Sequence, residues 1–392
     1  MTEAHVHFRL SSFYLAYFAF IGAFSPYWAL YLKSLGFGAA EIGVLVSVNP
    51  VARIFGPALW GWLADRSGRR TQIVRAALCA MFLVFCAVFF AQRYLTMIVV
   101  MAVLNIFWCA VLPLAEASTF HLLRGHVGVY ARIRVWGSVG FVAVVIFGGH
   151  LLDVSGVRAV APLALMMLAI TVVAGFGMPE DPEPVHASRA VPIMSLIWRT
   201  PVIALFAGFF LMQVAHGPYG TFYSIFLVDQ GYSKGTVGWL WALGVIAEIV
   251  LFLWIARLVK RFTLQQILAG SFLTAALRFA LIAWGSGSLA VLVAAQILHA
   301  VTFGAFHVAA VAMMHRLFAG PYAARGQALY TGIGYGVGGA VGGLASGYAW
   351  DTIGPHWTFT CGAVAALLAW LAVQLSPLIL PEEAAPAKPV SQ

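Results

Sequence analysis

The chain is built from long, continuous apolar segments, each long enough to form a helix that crosses a bilayer. Such a helix needs about 20 apolar residues, and these segments lack the alternating pattern of membrane β-barrel strands. Charged residues make up only 9% of the sequence, compared with about 25% in soluble domains. Because lipid offers backbone groups no hydrogen-bond partner, the segments must be helical. The sequence predicts an all-α membrane protein with twelve transmembrane helices.

A polar interruption divides the chain near its middle. Residues 179–200 contain several prolines and acidic side chains, which predicts a cytoplasmic linker. The linker would separate an N-terminal six-helix bundle, residues 1–178, from a C-terminal six-helix bundle, residues 201–380. Residues 381–392 would then form a cytoplasmic tail.

The two predicted bundles repeat short motifs near their helix ends. The repeated positions are Gly36 and Gly231, Gly43 and Gly238, Asp153 and Asp351, and Gly156 and Gly354. Their spacing is almost constant and close to half the chain. Internal repeats of this kind are typical of transporters whose halves rock around a site at the membrane midplane.

Arginine and lysine are distributed unequally between the two predicted faces of the membrane. If the N-terminus is inside, the outer face holds only Lys33, Arg93, Arg158 and Lys234, and most other basic residues fall inside. Cytoplasmic loops carry an excess of such residues, so we expect a multi-pass inner-membrane protein with both termini in the cytoplasm. This topology accounts for the net charge of +9. The expected surroundings are the lipid bilayer, with the chain a monomer and no nucleic acid bound.

A polar decapeptide, residues 61–70, follows the second predicted span and reads Gly-Trp-Leu-Ala-Asp-Arg-Ser-Gly-Arg-Arg. It resembles the signature loop between the second and third helices of the major facilitator superfamily. The residues in register include Gly61, Asp65, Arg66, Gly68 and Arg69. The resemblance implies the major facilitator fold, secondary transport by alternating access and a gating role for this loop.

Five charged residues lie deep within the predicted spans: Arg53, Glu116, Arg134, Glu248 and Arg278. A charge at the bilayer centre costs at least about 2.5–3.5 kcal/mol, so each residue is a functional candidate. Arginines outnumber glutamates in this set, and a guanidinium binds a carboxylate bidentately. The set therefore favours a small anionic substrate.

Four of these residues are predicted to form two ion pairs. Glu116 and Arg134 are equally far, about 13 Å, from the turn between the fourth and fifth helices. Glu248 and Arg278 are likewise equidistant from the turn between the eighth and ninth helices. Arg134 would bind substrate with Glu116 orienting it, and Arg53 and Arg278 are further candidate substrate ligands. A purely structural role for both pairs, as salt bridges between helices, stays open.

Two histidines on the tenth predicted helix are candidates for proton transfer. His299 and His307 fall roughly on one helix face, and histidine changes charge near neutral pH. A structural role in hydrogen bonding is the alternative for each. Together with Glu248 they form the predicted proton-coupling set.

Motifs for other kinds of chemistry are missing from the sequence. The four cysteines have no metal-ligand spacing, and neither a nucleotide-binding loop nor a nucleophile elbow is present. We therefore expect no enzyme activity, no metal and no cofactor other than the proton as coupling ion.

Further segments resemble the phenylpropionate permease-like transporters, a group related to the lactose permease-type proton symporters. They are residues 130–141, 241–248, 298–307 and 327–330. The resemblance implies that Glu116 and Arg134 bind the substrate and that Phe141 packs against it. Thr302 stands where these symporters carry a proton-transferring glutamate. This difference leaves Glu248, His299 and His307 as the titrating candidates.

The predicted function is proton-coupled uptake of a small organic carboxylate, and an aromatic acid fits this class. A proton symporter of a neutral sugar or nucleoside is a second hypothesis, and such a protein would rely on amide side chains. The candidates for such contacts are Asn49, Asn105, Gln213 and Gln296. A drug/proton antiporter is a third hypothesis, and a membrane sensor that transports nothing is a fourth.

Overall fold

In the computed structural model, residues 3–180, 198–318 and 322–375 are described, and within these ranges the chain is helical between short turns. The helices are α1 (Glu3–Ser34), α2 (Ala39–Ser67), α3 (Arg70–Phe89), α4 (Tyr94–Leu122), α5 (Val127–Ser155), α6 (Val157–Gly177), α7 (Thr200–Asp229), α8 (Lys234–Arg261), α9 (Leu264–Gly285), α10 (Leu289–Leu317), α11 (Ala323–Leu329, Tyr330–Gly338 and Gly339–Ile353, without a break) and α12 (Pro355–Leu375).

Helices α10 and α11 contain π-helical segments, and α11 is also the less apolar of the two. Within the described ranges, eleven helices are long and apolar enough to cross a membrane, and α11 is the one that falls outside this set. Its middle segment, Tyr330–Gly338, is π-helical and rich in glycine. A second π-helical segment, Ala300–Ala305, interrupts α10. Such segments often mark functional sites.

The helices of the two halves pack in the same pattern. Helix α1 lies against α5 and α6, as α7 lies against α11 and α12. Helix α4 packs between α2 and α3, and α10 packs between α8 and α9. The domain boundaries stay a prediction, because most of the linker 179–200 and the whole tail 381–392 lie outside the described residues.

Glycines allow helices from opposite halves to touch. Helix α2 packs against α11, and α8 packs against α5. A Cβ atom on Gly43 would lie 2.8 Å from the carbonyl oxygen of Gly343 and 2.9 Å from the Cα of Gly347. A Cβ atom on Gly238 would lie 2.5 Å from the carbonyl oxygen of Val145. The repeated glycines therefore sit at equivalent contacts between the halves.

Two repeated aspartates also join the halves. The carboxylate of Asp153 accepts hydrogen bonds of 2.8 Å from the backbone nitrogens of both Lys234 and Gly235, at the start of α8. Asp351 accepts a 3.1 Å bond from the backbone nitrogen of Ala40, at the start of α2. Each carboxylate thus contacts the positive end of a helix dipole in the other half. We call this end of the molecule the closed end.

The opposite end, which carries residues 61–70, is called the open end. Between α2 and α11 a cleft of about 420 Å³ lies toward it, lined by Ile54, Leu329 and Ile333 among others. The halves therefore meet at the closed end and separate toward the open end. Between the two ends, charged residues of both halves that are exposed or partly exposed lie near each other; they are Arg53, Glu116, Arg134 and Glu248. We call this region the space between the halves.

Candidate functional site

Glu116 of α4 and Arg134 of α5 face the space between the halves. Arg134 Nε lies 3.6 Å from Glu116 Oε1, and the two side chains are 31% and 35% exposed. The hydroxyl of Tyr130 donates a 3.2 Å hydrogen bond to the same glutamate oxygen. The structure brings Glu116 and Arg134 together, as their equal distance from the turn indicated. Their role in binding stays a prediction.

Aromatic rings of α1 cover the guanidinium of Arg134. Its central carbon lies 4.0 Å from the ring centre of Phe18 and 5.8 Å from that of Tyr14. Phe141, the aromatic residue expected beside the substrate, lies further along α5, where its backbone packs closely against Gly22 of α1. Sequence reasoning missed Tyr14 and Phe18, whose only signal was two aromatic residues four positions apart on one helix.

Arg53 of α2 has an exposed side chain. Among the described residues, none forms an ion pair or hydrogen bond with it. Arg53 lies near Tyr17 of α1 and Tyr335 of α11, and so near residues of both halves. Arg53 therefore presents a cation to the space between the halves without a protein carboxylate beside it.

The predicted ion pair between Glu248 and Arg278 is wrong. No contact between the two side chains occurs in the part of the chain that the structure describes, because α10 packs between α8 and α9. Glu248 instead packs near Gly304 of α10, where its Cγ would lie 3.1 Å from an added Cβ atom. Arg134 of the opposite half lies close enough to Glu248 for the two charges to interact.

Arg278 is fully buried within the C-terminal half. Its Nε donates a 3.0 Å hydrogen bond to the carbonyl oxygen of Ala295, and its Nη1 donates a 3.4 Å bond to Thr302 Oγ1. Its guanidinium carbon lies 4.1 Å from the ring centre of Tyr219. With no exposed surface, Arg278 does not reach the space between the halves. The predicted direct contact with substrate is therefore not available in this conformation.

The two histidines of α10 lie in different surroundings. The ring of His299 stacks on Phe303, with 5.4 Å between ring centres, and its Nδ1 is buried without a hydrogen-bond partner. His307 Nδ1 lies 3.1 Å from the hydroxyl of Tyr330 and 3.3 Å from that of Tyr335. Both tyrosines belong to the π-helical segment of α11. The structure thus gives His307 polar partners on a neighbouring helix.

The loop of residues 61–70 makes a local ion pair at the open end. Asp65 Oδ1 lies 3.2 Å from Nη2 of Arg70. Arg69, the preceding residue, has an exposed side chain. Gly68 ends α2 with a φ of 64°, a left-handed conformation that favours glycine. Arg66 lies over the ring of Trp62, 5.6 Å from its centre.

Gly61 has open space around it, since an added Cβ atom would meet nothing within 4 Å. The ion pair of Asp65 joins α2 to the start of α3, so it lies within the N-terminal half. In this conformation that pair does not connect the two halves, and the gating role of the loop stays a prediction.

Comparisons with known proteins agree with this architecture. The profile of the MFS_1 like family matches residues 7–361. The Escherichia coli (strain K12) protein named "Probable 3-phenylpropionic acid transporter" is 30% identical over 383 residues, covering 94% of this chain and 96% of its own length.

Two solved structures share the fold at low sequence identity. The nucleoside transporter NupG superposes with a TM-score of 0.83 at 18% identity, covering 95% of this chain and 99% of its own. The human organic anion transporter MFSD10 (TETRAN) gives a TM-score of 0.63 at 17% identity, covering 95% and 100% of the two chains. With the family match, this shows that the chain belongs to the MFS_1 like family and is a multi-pass membrane transporter of the major facilitator superfamily.

Proposed function

We propose that the chain is a proton-coupled symporter that takes up a small organic carboxylate, with an aromatic ring, by alternating access across the inner membrane. Both termini lie in the cytoplasm in this proposal, so the open end faces inward. The observation that carries it is Arg53, an exposed cation between the halves with no carboxylate partner among the described residues. The name of the Escherichia coli relative supports an aromatic acid.

The charge balance of the site supports an anionic substrate. On the N-terminal side, Arg53 and Arg134 face the space between the halves, and Glu116 balances one of them. One positive charge remains on that side, and when Glu248 of the other half is protonated a single carboxylate would neutralise it. A guanidinium and a carboxylate match in shape as well as in charge. The aromatic rings around Arg134 offer apolar surface for the rest of such a molecule.

The amide side chains support a neutral sugar or nucleoside less well. Asn49 Nδ2 donates a 2.6 Å hydrogen bond to Asn105 Oδ1, so the two amides engage each other. Gln296 is fully buried, and its Oε1 accepts a 3.1 Å bond from Tyr219. A solute recognised by its hydroxyl groups needs free polar partners. The fourth amide considered from the sequence, Gln213, lies beside the hydroxyl of Tyr335 and shares a hydrogen bond with it.

Glu248 supplies a physical reason for coupling the carboxylate to a proton. Arg134 lies in the field of Glu116 from its own half and of Glu248 from the other. A bound substrate carboxylate adds a negative charge near Glu248, and a proton that binds to Glu248 removes the negative charge of that side chain. Anion and proton therefore favour each other's binding, and this linkage is reciprocal. A cationic solute would have the opposite linkage, which suits antiport.

The test is uptake into proteoliposomes with an imposed pH gradient. The panel contains 3-phenylpropionate, 3-cyclohexylpropionate, a disaccharide, uridine and a cationic dye. We expect accumulation of the aromatic carboxylate, driven by the gradient and abolished by a protonophore. Uptake of uridine or the sugar alone would overturn the proposal, and so would binding of the acid without any transport.

The matched variants are Arg53→Ala and Arg93→Ala. Arg53 faces the proposed site, whereas Arg93 precedes α4 at the closed end and has an exposed side chain. We expect the first variant to lose at least about tenfold in affinity for the carboxylate, as for a charged hydrogen-bond partner. The second variant should behave like the parent. Equal affinity in both variants would remove Arg53 from the site.

A further inference from the structure

We propose that Phe18 and Gly137 are positioning residues, which hold the plane of the Arg134 guanidinium and so determine the head group that the site accepts. This inference rests on the proposed uptake of a carboxylate. Its first support is the contact of 4.0 Å between the guanidinium carbon and the ring centre of Phe18. At that distance the cation stacks on the ring.

The second support is the bare backbone of Gly137, one turn beyond Arg134 on α5. A Cβ atom there would lie 2.7 Å from Phe18 Cδ2 and 2.9 Å from Arg134 Nη1. Real Cβ atoms do not approach other atoms so closely, so any larger residue would displace the ring or the guanidinium. Gly137 therefore provides the space in which the ring and the cation lie together.

The ring itself is held in place by helix packing. Helices α1 and α5 touch through their backbones on both sides of Phe18, at Gly22 against Phe141 and at Gly140 against Leu15. The ring of Tyr17 meets that of Phe18 edge to face, with 5.3 Å between centres. Small residues allow helices to approach this closely in lipid. The orientation of Phe18 is thus set by the fold rather than by a flexible loop.

The constrained plane has a chemical consequence. The Nε of Arg134 points to Glu116 at 3.6 Å, and Phe18 covers a face of the guanidinium. Apart from a hydrogen bond with the Tyr130 hydroxyl, the outer Nη edge is then the part left for a ligand. Two parallel hydrogen bonds to that edge suit a planar carboxylate. A sulfonate has three oxygens around a tetrahedral sulfur, so it can offer two of them to the guanidinium at several rotations about its C–S bond and depends less on a fixed plane.

The experiment compares 3-phenylpropionate with 2-phenylethanesulfonate, two anions that differ in head group. Half-saturation for uptake is measured in proteoliposomes that contain equal amounts of folded protein. We expect Phe18→Leu to raise the value for the carboxylate about 2–30-fold, the range of a cation–π contact. The value for the sulfonate should change much less, so the ratio between the two anions falls. Phe18→Trp keeps a ring and should restore the ratio.

Two glycine variants on α5 supply a matched control. Gly137→Ala should lower the carboxylate preference in the same direction as Phe18→Leu. Gly128→Ala, at a position on the same helix where an added Cβ meets nothing within 4 Å, should leave the ratio unchanged. A change of equal size in both variants would assign the effect to helix α5 in general and overturn the inference.

A double-mutant comparison separates positioning from general stability. Arg134→Lys replaces the planar fork with a point charge, so Phe18→Leu should lose most of its effect on the ratio in that background. Equal effects in both backgrounds would show that Phe18 acts independently of Arg134, which overturns the inference. If the parent takes up no carboxylate, the proposed function fails instead. Parent uptake with an unaltered ratio in Phe18→Leu refutes only the positioning role.

Discussion

Replacing Asp153 with alanine should shift the conformational equilibrium of the closed end toward opening. The carboxylate accepts two 2.8 Å backbone hydrogen bonds, from Lys234 and Gly235. A hydrogen bond to a charged group contributes about 1.5–3 kcal/mol, but the side chain of Asp153 is 29% exposed. Solvent screening therefore reduces the total to about 2 kcal/mol. Asp351 accepts one hydrogen bond of 3.1 Å from the backbone nitrogen of Ala40. By the same reasoning, this bond stabilises the closed end by about 1 kcal/mol.

These free energies convert into measurable shifts in conformation. At about 1.4 kcal/mol per factor of ten, Asp153→Ala should shift the equilibrium of the closed end about 30-fold toward opening, and Asp351→Ala about fivefold. The two carboxylates contact different helix pairs, so their effects should add in the double variant. The double variant should therefore open this end most, Asp153→Ala less, and Asp351→Ala least.

Electron–electron resonance distances between two spin labels provide the assay. Suitable label sites are Gln92 and Gly287, which are exposed in the α3–α4 and α9–α10 connections at the closed end. The control is Lys33→Ala, which removes the 2.6 Å ion pair with Asp229, whose side chains are both 46% exposed. An exposed pair of this kind contributes about 0–1 kcal/mol. The control should therefore shift the distances less than Asp153→Ala does.

The reasoning would be refuted by either of two results. One is a distance distribution for Asp153→Ala that matches the parent in detergent and in lipid. The other is an equal shift for Lys33→Ala and Asp153→Ala, which would mean that any lost charge contact opens this end and that the helix start has no special role.

Three further predictions concern other parts of the molecule. Gly43→Ala puts a methyl group 2.8 Å from the backbone of α11 and should slow uptake about tenfold by overpacking, whereas Gly61→Ala, with open space around it, should not. Glu248→Gln imitates the protonated acid, so gradient-driven accumulation should vanish while counterflow exchange persists; continued accumulation would place the proton elsewhere. Asp65→Asn removes the ion pair with Arg70 and should slow transport while equilibrium binding, followed by tryptophan fluorescence, stays as in the parent; parental transport rates would rule out a gating role.

Features that depend on local sequence could be predicted. The repeated glycines Gly36 and Gly231 adopt φ values of 91° and 92°, so the same motif forms the same turn in both halves. The proximity of Glu116 and Arg134 followed from their equal distance from a single tight turn. Such inferences work because a turn and a helix rise determine the depth of a residue in the membrane.

Features that depend on which helices are neighbours could not be predicted. Equal distances from a turn placed Glu248 and Arg278 at one depth, but they did not reveal that another helix packs between them. The stacking of Phe18 on Arg134 depends on the close approach of α1 and α5. No local pattern in the sequence encodes that approach, because the helices are far apart along the chain.

The position of α10 between α8 and α9 has a consequence for assembly in the membrane. Helices α8 and α9 precede α10 in the chain, yet the acceptors for the buried Arg278 of α9, Ala295 and Thr302, both belong to α10. Until α10 has been synthesised and inserted, that guanidinium lacks these partners, at a cost of about 2.5–3.5 kcal/mol. The arginine thus ties the stability of α9 to the insertion of α10, and a chain that stopped before residue 289 would keep the ring of Tyr219 beside the guanidinium but lack both acceptors.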